Sequence, residues 1–363
     1  MQNVKVDARP YIQLLQQLIS TQSFSREEEG TAQVLADFFA KNDISVERKG
    51  NNVWAKNLYF NESRPTVLLN SHHDTVKPVA GWQRDPFSPD IENGVLYGLG
   101  SNDAGASLVS LIATFVHFYE KENLPFNLII AATAEEEISG KNGIASILED
   151  LGKIHVGIVG EPTQMRMAIA EKGLMVVDGI AHGKAGHAAR EEGINSIYIA
   201  IQDIEWIKNY DFTKVSSVLG KTKMTVTQVN AGTQHNVVPD ACKFVIDVRT
   251  NEEYSNQEVF EILKANLQSE VKARSFRLNS SKIGLEHPLV KYGLEMKRAY
   301  YGSPTLSDQA LMPFTTLKMG VGKSERSHTA DEFILISEIE EGIEIYINLL
   351  TKYAGVQTFL SVK

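Results

Sequence analysis

The chain has 363 residues, 43% apolar and 22% charged, the profile of a globular protein long enough for two domains. A net charge of -9 and a pI near 5.6 exclude a nucleic-acid or anionic-membrane surface as the natural partner. The N-terminus lacks a basic-then-apolar leader and no run reaches roughly 18 apolar residues, so a cytoplasmic protein is expected. The single cysteine, Cys242, rules out an internal disulfide framework, and its alternating surroundings make it a packed strand residue. Any metal must be held by histidines and carboxylates.

Tyr11, Ile12, Leu14, Leu15, Leu18 and Ile19 repeat at helical spacing, as do Val34, Leu35, Phe38 and Phe39, so two amphipathic helices open the chain. Short strands follow at 53–55 and 66–69. The second empties into His72-His73-Asp74, where the first imidazole suits a metal and the carboxylate suits its other ring nitrogen. The region 81–105, with Pro86, Pro89 and Asn93-Gly94, turns repeatedly and delivers Asp103 to the start of a helix. That helix carries Leu108, Leu111, Ile112, Phe115, Val116 and Tyr119 on its inner face. Apolar strands at 128–132 and 156–159 run into Glu135-Glu136-Glu137 and Gly160-Glu161-Pro162. This alternation predicts a mostly parallel sheet with helices on both faces, and functional groups at the carboxyl ends of its strands.

From about residue 171 the texture changes. Strands are expected at 175–180, 223–229, 243–248 and 271–278, interleaved with helices at 194–207 and 256–267. Phe244, Ile246 and Val248 alternate with Lys243, Asp247 and Arg249, as in a sheet covered on one face. After His287-Pro288 the earlier pattern resumes and ends in a helix read as capped by a Ser337-x-x-Glu340 box. The expected fold is an α/β catalytic domain over 1–170 and 284–363, interrupted by a smaller α+β domain over 171–283.

His72, Asp103, Glu136 or Glu137, Glu161 and His328 form one candidate ligand set. Imidazole and carboxylate without thiolate suit Zn²⁺, with Co²⁺ or Mn²⁺ as substitutes. Five ligands exceed the needs of one catalytic zinc and suit two ions about 3.5 Å apart that share a carboxylate. Such a pair activates water and polarises a carbonyl, and adjacent glutamates let one bind metal while its neighbour moves a proton.

The stretches Ser71-His72-His73-Asp74-Thr75-Val76, Gly98-Leu99-Gly100-Ser101-Asn102-Asp103, Glu135-Glu136-Glu137, Gly160-Glu161-Pro162-Thr163 and Ser327-His328-Thr329-Ala330-Asp331-Glu332 span nearly the whole chain. In them it resembles the di-zinc metallo-aminoacylase and peptidase family that includes acetylornithine deacetylase, succinyl-diaminopimelate desuccinylase and glutamate carboxypeptidase. The resemblance implies two Zn²⁺ per subunit bridged by Asp103, with His72 and Glu161 on one ion and Glu137 and His328 on the other. Asp74 would orient His72, and Glu136 would be the general base. Glu135 stands where the family carries Asp.

The run His182-Gly183-Lys184-Ala185-Gly186-His187-Ala188-Ala189 is similar to a segment of the family's inserted domain. It implies a homodimer formed through that domain, in which the partner subunit's His187 donates to the developing oxyanion. Two glycines are expected to let the backbone turn tightly before this ring. Asn236 resembles a substrate contact. Arg249 resembles a guanidinium that holds a substrate carboxylate, and pairing with Asp247 is its alternative role. His73, His117, His155, His235 and His287 are read as structural or surface residues.

The implied reaction is hydrolysis of the amide of an N-acyl amino acid. N-acetylornithine (or an N-acyllysine) of arginine biosynthesis is the expected substrate, with succinyl-diaminopimelate or a peptide as alternatives. Lys172, Lys184 and Arg190 are candidates to read an acyl carboxylate. Thr305-Leu306-Ser307-Asp308 departs from the family's usual run before the last ligand.

Overall fold

The structure, a computed structural model, describes residues 6–355. The chain forms two compact units: one of residues up to Ile169, Ile283–Tyr301 and those from Ser307 on, the other of Ala170–Lys282 and Gly302–Leu306.

In the first unit the strands lie in the order Glu47–Lys49, Asn52–Lys56, Asn127–Thr133, Thr66–His72, Val156–Val159, Thr316–Lys318 and Met167–Glu171. Asn127–Thr133, Thr66–His72, Val156–Val159 and Thr316–Lys318 are parallel to one another, and their flanking neighbours are antiparallel. Every residue of Thr66–His72 and Asn127–Thr133 is buried, as strands covered on both faces must be. Leu68, Ile129 and Ala131 pack on Ile144, Ile147 and Leu151 of the helix Ile144–Leu151. Residues between them point to the opposite face, where the helix Ala106–Tyr119 lies against both strands and against the last helix, Ile336–Ala354. The mostly parallel sheet expected from the strand and helix alternation is what forms. Its register sets His72 beside Thr133 and Asn70 beside Val159, so three strands end at one level.

Two local expectations change. Ala106–Tyr119 is buried nearly all round rather than on one face, although Val116 and Tyr119 are only half-buried. Its hydroxyls stay satisfied: Ser107 donates to the Val321 carbonyl, Ser110 to that of Ala106 and Thr114 to that of Ser110. The last helix begins at Ile336, so Ser337 lies inside it and caps nothing. Glu338 instead accepts the Leu335 N–H at 3.1 Å while holding Arg326 at 2.6 Å.

The second unit carries an antiparallel sheet in the order Lys223–Ala231, Ala241–Arg249, Met175–His182 and Glu270–Ala273. The helices Ser196–Asn209 and Asn256–Asn266 close one face over Val177, Phe244, Ile246, Val248 and the buried Cys242. The last strand ends at Ala273 instead of continuing to residue 278. Beyond it the Leu278 carbonyl accepts from the side-chain amide of Asn256 at 2.8 Å.

Candidate metal centre

Three parallel strands deliver His72, the Glu135–Glu137 loop and Glu161 to one edge of the sheet, because each group follows its strand directly. His72 Nε2 lies 3.4 Å from Asp103 Oδ1, 3.9 Å from Glu136 Oε2 and 4.0 Å from Glu161 Oε1. His328, on a turn with φ of 57°, comes from the other end of the chain. Its Nε2 lies 3.0 Å from Glu137 Oε2 and 3.7 Å from Asp103 Oδ2. Asp103 thus presents one oxygen to each histidine. Two triplets meet the spacing of a metal site: His72, Asp103 and Glu137, and His72, Glu136 and Glu161.

The chemistry of these donors fits a cation. His72 Nδ1 donates to the Asp74 main-chain carbonyl at 3.0 Å, which turns a bare Nε2 lone pair toward three carboxylates. Nε2 and Glu161 Oε1 are both buried without a hydrogen-bond partner. Acceptors facing acceptors at low dielectric repel unless a proton or a metal lies between them.

The pKa values express the same crowding. Burial disfavours a charged His72, yet Glu136, Asp103, Asp74 and Glu161 together raise it well above the usual histidine value. Burial drives Glu136 well above the carboxylate range, with Glu161, Asp308 and Glu137 adding to the effect against His72. Burial likewise takes Glu161 to about 8. The hydrogen bond to Glu137 lifts His328 to about 9. Burial opposes ionised Asp74 and Asp103, but their bonds to His72 hold both below the usual aspartate value.

A buried ring of acceptors shapes the loops. The Asp74 carboxylate lies 3.5 Å from His72 Nδ1, farther than its own main-chain oxygen. It accepts the N–H groups of Glu136 at 3.0 Å and Glu137 at 3.2 Å, and the Ser25 hydroxyl at 2.7 Å. Glu135 turns the other way with φ of 54°, its side chain folded onto Gly140 and bonded to Asn142 at 2.7 Å. His73 bridges the Thr31 hydroxyl and the Asn51 carbonyl, and burial lowers it to about 4.

Three groups escaped the sequence reading. Glu28, fully buried, meets the Glu135 N–H at 3.2 Å and Asn51 Nδ2 at 2.7 Å. Asp308 accepts the Thr133 hydroxyl at 2.7 Å and is pushed by burial to about 6. Glu332 is held among main-chain amides. Asp308 had a signal as the acid of the departing Thr305–Asp308 run, and Glu332 as the last residue of the stretch that carries His328; Glu28 had none.

His187, Asn236 and Arg249 belong to the second unit. Gly186–His187 pairs with Val237–Val238, and the Ala188 N–H donates to the Asn236 carbonyl at 3.0 Å, so the first two lie side by side. His187 is exposed and its Nδ1 accepts the Ala189 N–H at 3.1 Å, which leaves the proton on Nε2. Gly183 serves by close approach: a Cβ there would sit 2.2 Å from the Ile194 carbonyl oxygen. Arg249 is engaged by Asp247 through two bonds of 2.9 and 3.1 Å.

A profile of peptidase family M20/M25/M40 matches residues 68–352, a span that contains every member of the cluster. The chain belongs to this family. It is accordingly a metal-dependent M20 hydrolase, with the donor groups of the dinuclear site typical of the family. A succinyl-diaminopimelate desuccinylase of Wolinella succinogenes is 28% identical over 366 residues, covering 91% of this chain and 96% of that one. Another, of Wolbachia pipientis wMel, is 28% identical over 75% of this chain and 72% of its own length. Among solved structures, aminopeptidase PepT of Bacillus cereus superposes with a TM-score of 0.76 at 19% identity, covering 96% of this chain and all of that one. A dinuclear metal-binding M20 peptidase of Bacillus subtilis gives 0.70 at 17% identity, covering 96% and 99%. At these identities the structural likeness is one of fold.

Proposed function

We propose that this M20 hydrolase cleaves the amide bond of an N-acyl amino acid at a two-zinc centre. The observation that carries the reading is Asp103, whose two oxygens address His72 and His328 separately, as a carboxylate shared by two ions would. His72 and Glu161 would complete one site, Glu137 and His328 the other. The ions, when bound, supply an acidified water and a polarised substrate carbonyl. Glu136 accepts the proton of the attacking water and returns it to the departing amine nitrogen. Asp74 keeps the tautomer of His72 and the aim of the Glu136 loop.

The second unit acts as the dimerisation domain in this reading. Lys223–Ala231 is an outer strand exposed along most of its length, with Val229 on it and Tyr198 and Ile201 exposed on the helix beside it. An open edge with apolar neighbours supports pairing with a second copy. The partner subunit's His187, with its proton on Nε2, would then donate to the oxyanion, and Asn236 and Arg249 would bind substrate. Arg249 exchanges Asp247 for a substrate carboxylate in that role.

For the acyl group, the named relatives support a succinyl amide, as in succinyl-diaminopimelate, over the acetylornithine expected from the sequence. Arg190 lies in the same turn as His187, its N–H bonded to the His187 carbonyl at 2.8 Å, and is the cation best situated to read an acyl carboxylate. The test is a panel of N-succinyl and N-acetyl derivatives of diaminopimelate, ornithine and lysine, assayed with added Zn²⁺. Succinyl substrates are expected to lead by about tenfold or more in kcat/KM. A lead for the acetyl series would return the assignment to a deacetylase, and equal turnover of an unsubstituted dipeptide would replace it with a peptidase.

A further inference from the structure

One short segment does three things at the centre. His328 supplies an imidazole. Three residues later, Asp331 Oδ1 accepts the N–H groups of Gln83 at 2.9 Å and Arg84 at 3.0 Å. Glu332, only 2% exposed, takes three more amides: Asn102 and Asp103 at 2.8 Å on Oε1, and Gly100 at 3.0 Å on Oε2. Its main-chain oxygen accepts a fourth, from Gly98 at 2.9 Å.

Among the described residues no Lys or Arg pairs with Glu332, and the hydrogen bonds to its carboxyl group come from main-chain amides. An apolar side chain here would leave the Gly100, Asn102 and Asp103 N–H groups without an acceptor. What the carboxylate achieves is geometric. Both of its oxygens are used, and they fix the backbone from Gly100 up to Asp103, the residue that faces both histidines.

We propose that Glu332 is a positioning residue that pre-forms Asp103 as the bridging carboxylate and ties it to the His328 arm. This rests on the two-metal reading of Asp103. A carboxamide has one acceptor oxygen, so in Glu332→Gln either the Gly100 amide or the Asn102 and Asp103 amides lose their partner and meet an NH₂ group. Outer carboxylates of this kind typically change metal affinity by about 10- to 100-fold.

The experiment titrates metal-free wild type, Glu332→Gln and Asp203→Asn with Co²⁺, following calorimetry and the visible absorption of the bound ion. Asp203 is the control: it is equally buried and accepts the Gln268 and Ser269 amides at 3.0 and 2.9 Å, but belongs to the second unit. Glu332→Gln is expected to weaken metal binding by about 10- to 100-fold and to alter the spectrum, while Asp203→Asn leaves both unchanged. Wild-type binding and spectrum in folded Glu332→Gln would overturn the proposal, as would equal weakening by both variants. Should Glu332→Gln fail to fold, hydrogen exchange in metal-free wild type decides the matter. Slow exchange at Gly100, Asn102 and Asp103 before metal is added supports a pre-formed loop, and free exchange there refutes it. Failure of wild type to bind two Co²⁺ ions would instead defeat the underlying two-metal reading.

Discussion

Glu135, Glu136 and Glu137 are adjacent and chemically identical, yet their environments give them three different positions. Glu135 adopts a left-handed backbone and folds back onto Asn142, leaving its neighbours to face the histidines. Glu137 meets His328 at 3.0 Å, whereas Glu136 stands 3.9 Å from His72. Glu136→Ala is therefore expected to retain two metals by elemental analysis while kcat falls about 10²- to 10⁴-fold, the usual contribution of a general base. Loss of one metal in that variant would exchange the roles of Glu136 and Glu137. His72, the three glutamates and Glu161 were legible as donors because they end or follow apolar strands. The direction of each side chain was not, since it depends on Asp74 accepting two loop amides from a strand distant in sequence.

At the scale of elements, periodicity located helices and strands well and their ends less well. The opening helix buries all six residues that repeat at helical spacing. The last helix shows why ends are harder: Ser337 and Glu340 have the spacing of a cap, but Glu338 wins because it also reaches Arg326. The short ladder holding His187 poses the sharper functional question. If this histidine serves the partner's site, neither His187→Ala nor Glu136→Ala alone is active, yet a mixture forms hybrid dimers with one intact centre. Mixing the two inactive proteins is expected to restore up to about a quarter of wild-type turnover, since half the dimers are hybrid and each has one working site. No recovery after confirmed subunit exchange would assign His187 to its own subunit or to no catalytic role.

Across the whole molecule, the acid cluster makes stability depend on pH and metal together. Without metal, burial holds protons on Glu161 and Glu332 up to about 8 and on Asp308 up to about 6, and Glu137 holds one on His328 up to about 9. Unfolding returns the glutamates to 4.5, the aspartate to 3.8 and the histidine to 6.5. These four groups bind more protons in the folded state than in the unfolded one between about pH 5 and 8, so their contribution to stability falls as pH rises through that window. Metal reverses the sign, because its ligands must be deprotonated to bind it. The melting temperature of chelator-treated protein is expected to be lower at about pH 8 than at about pH 6, and Zn²⁺ is expected to stabilise more strongly at the higher pH. A metal-free protein more stable at the higher pH would contradict this proton assignment.

By itself the sequence determined the fold class, the order of the elements and the donor types, because burial periodicity and residue chemistry are local properties. Tertiary structure decided which oxygen faces which nitrogen. It turned Glu135 away, gave Asp74 to the neighbouring loop and set Glu332 under Asp103. Those outcomes depend on buried acceptors finding backbone donors far away in the chain, a requirement that no local pattern records.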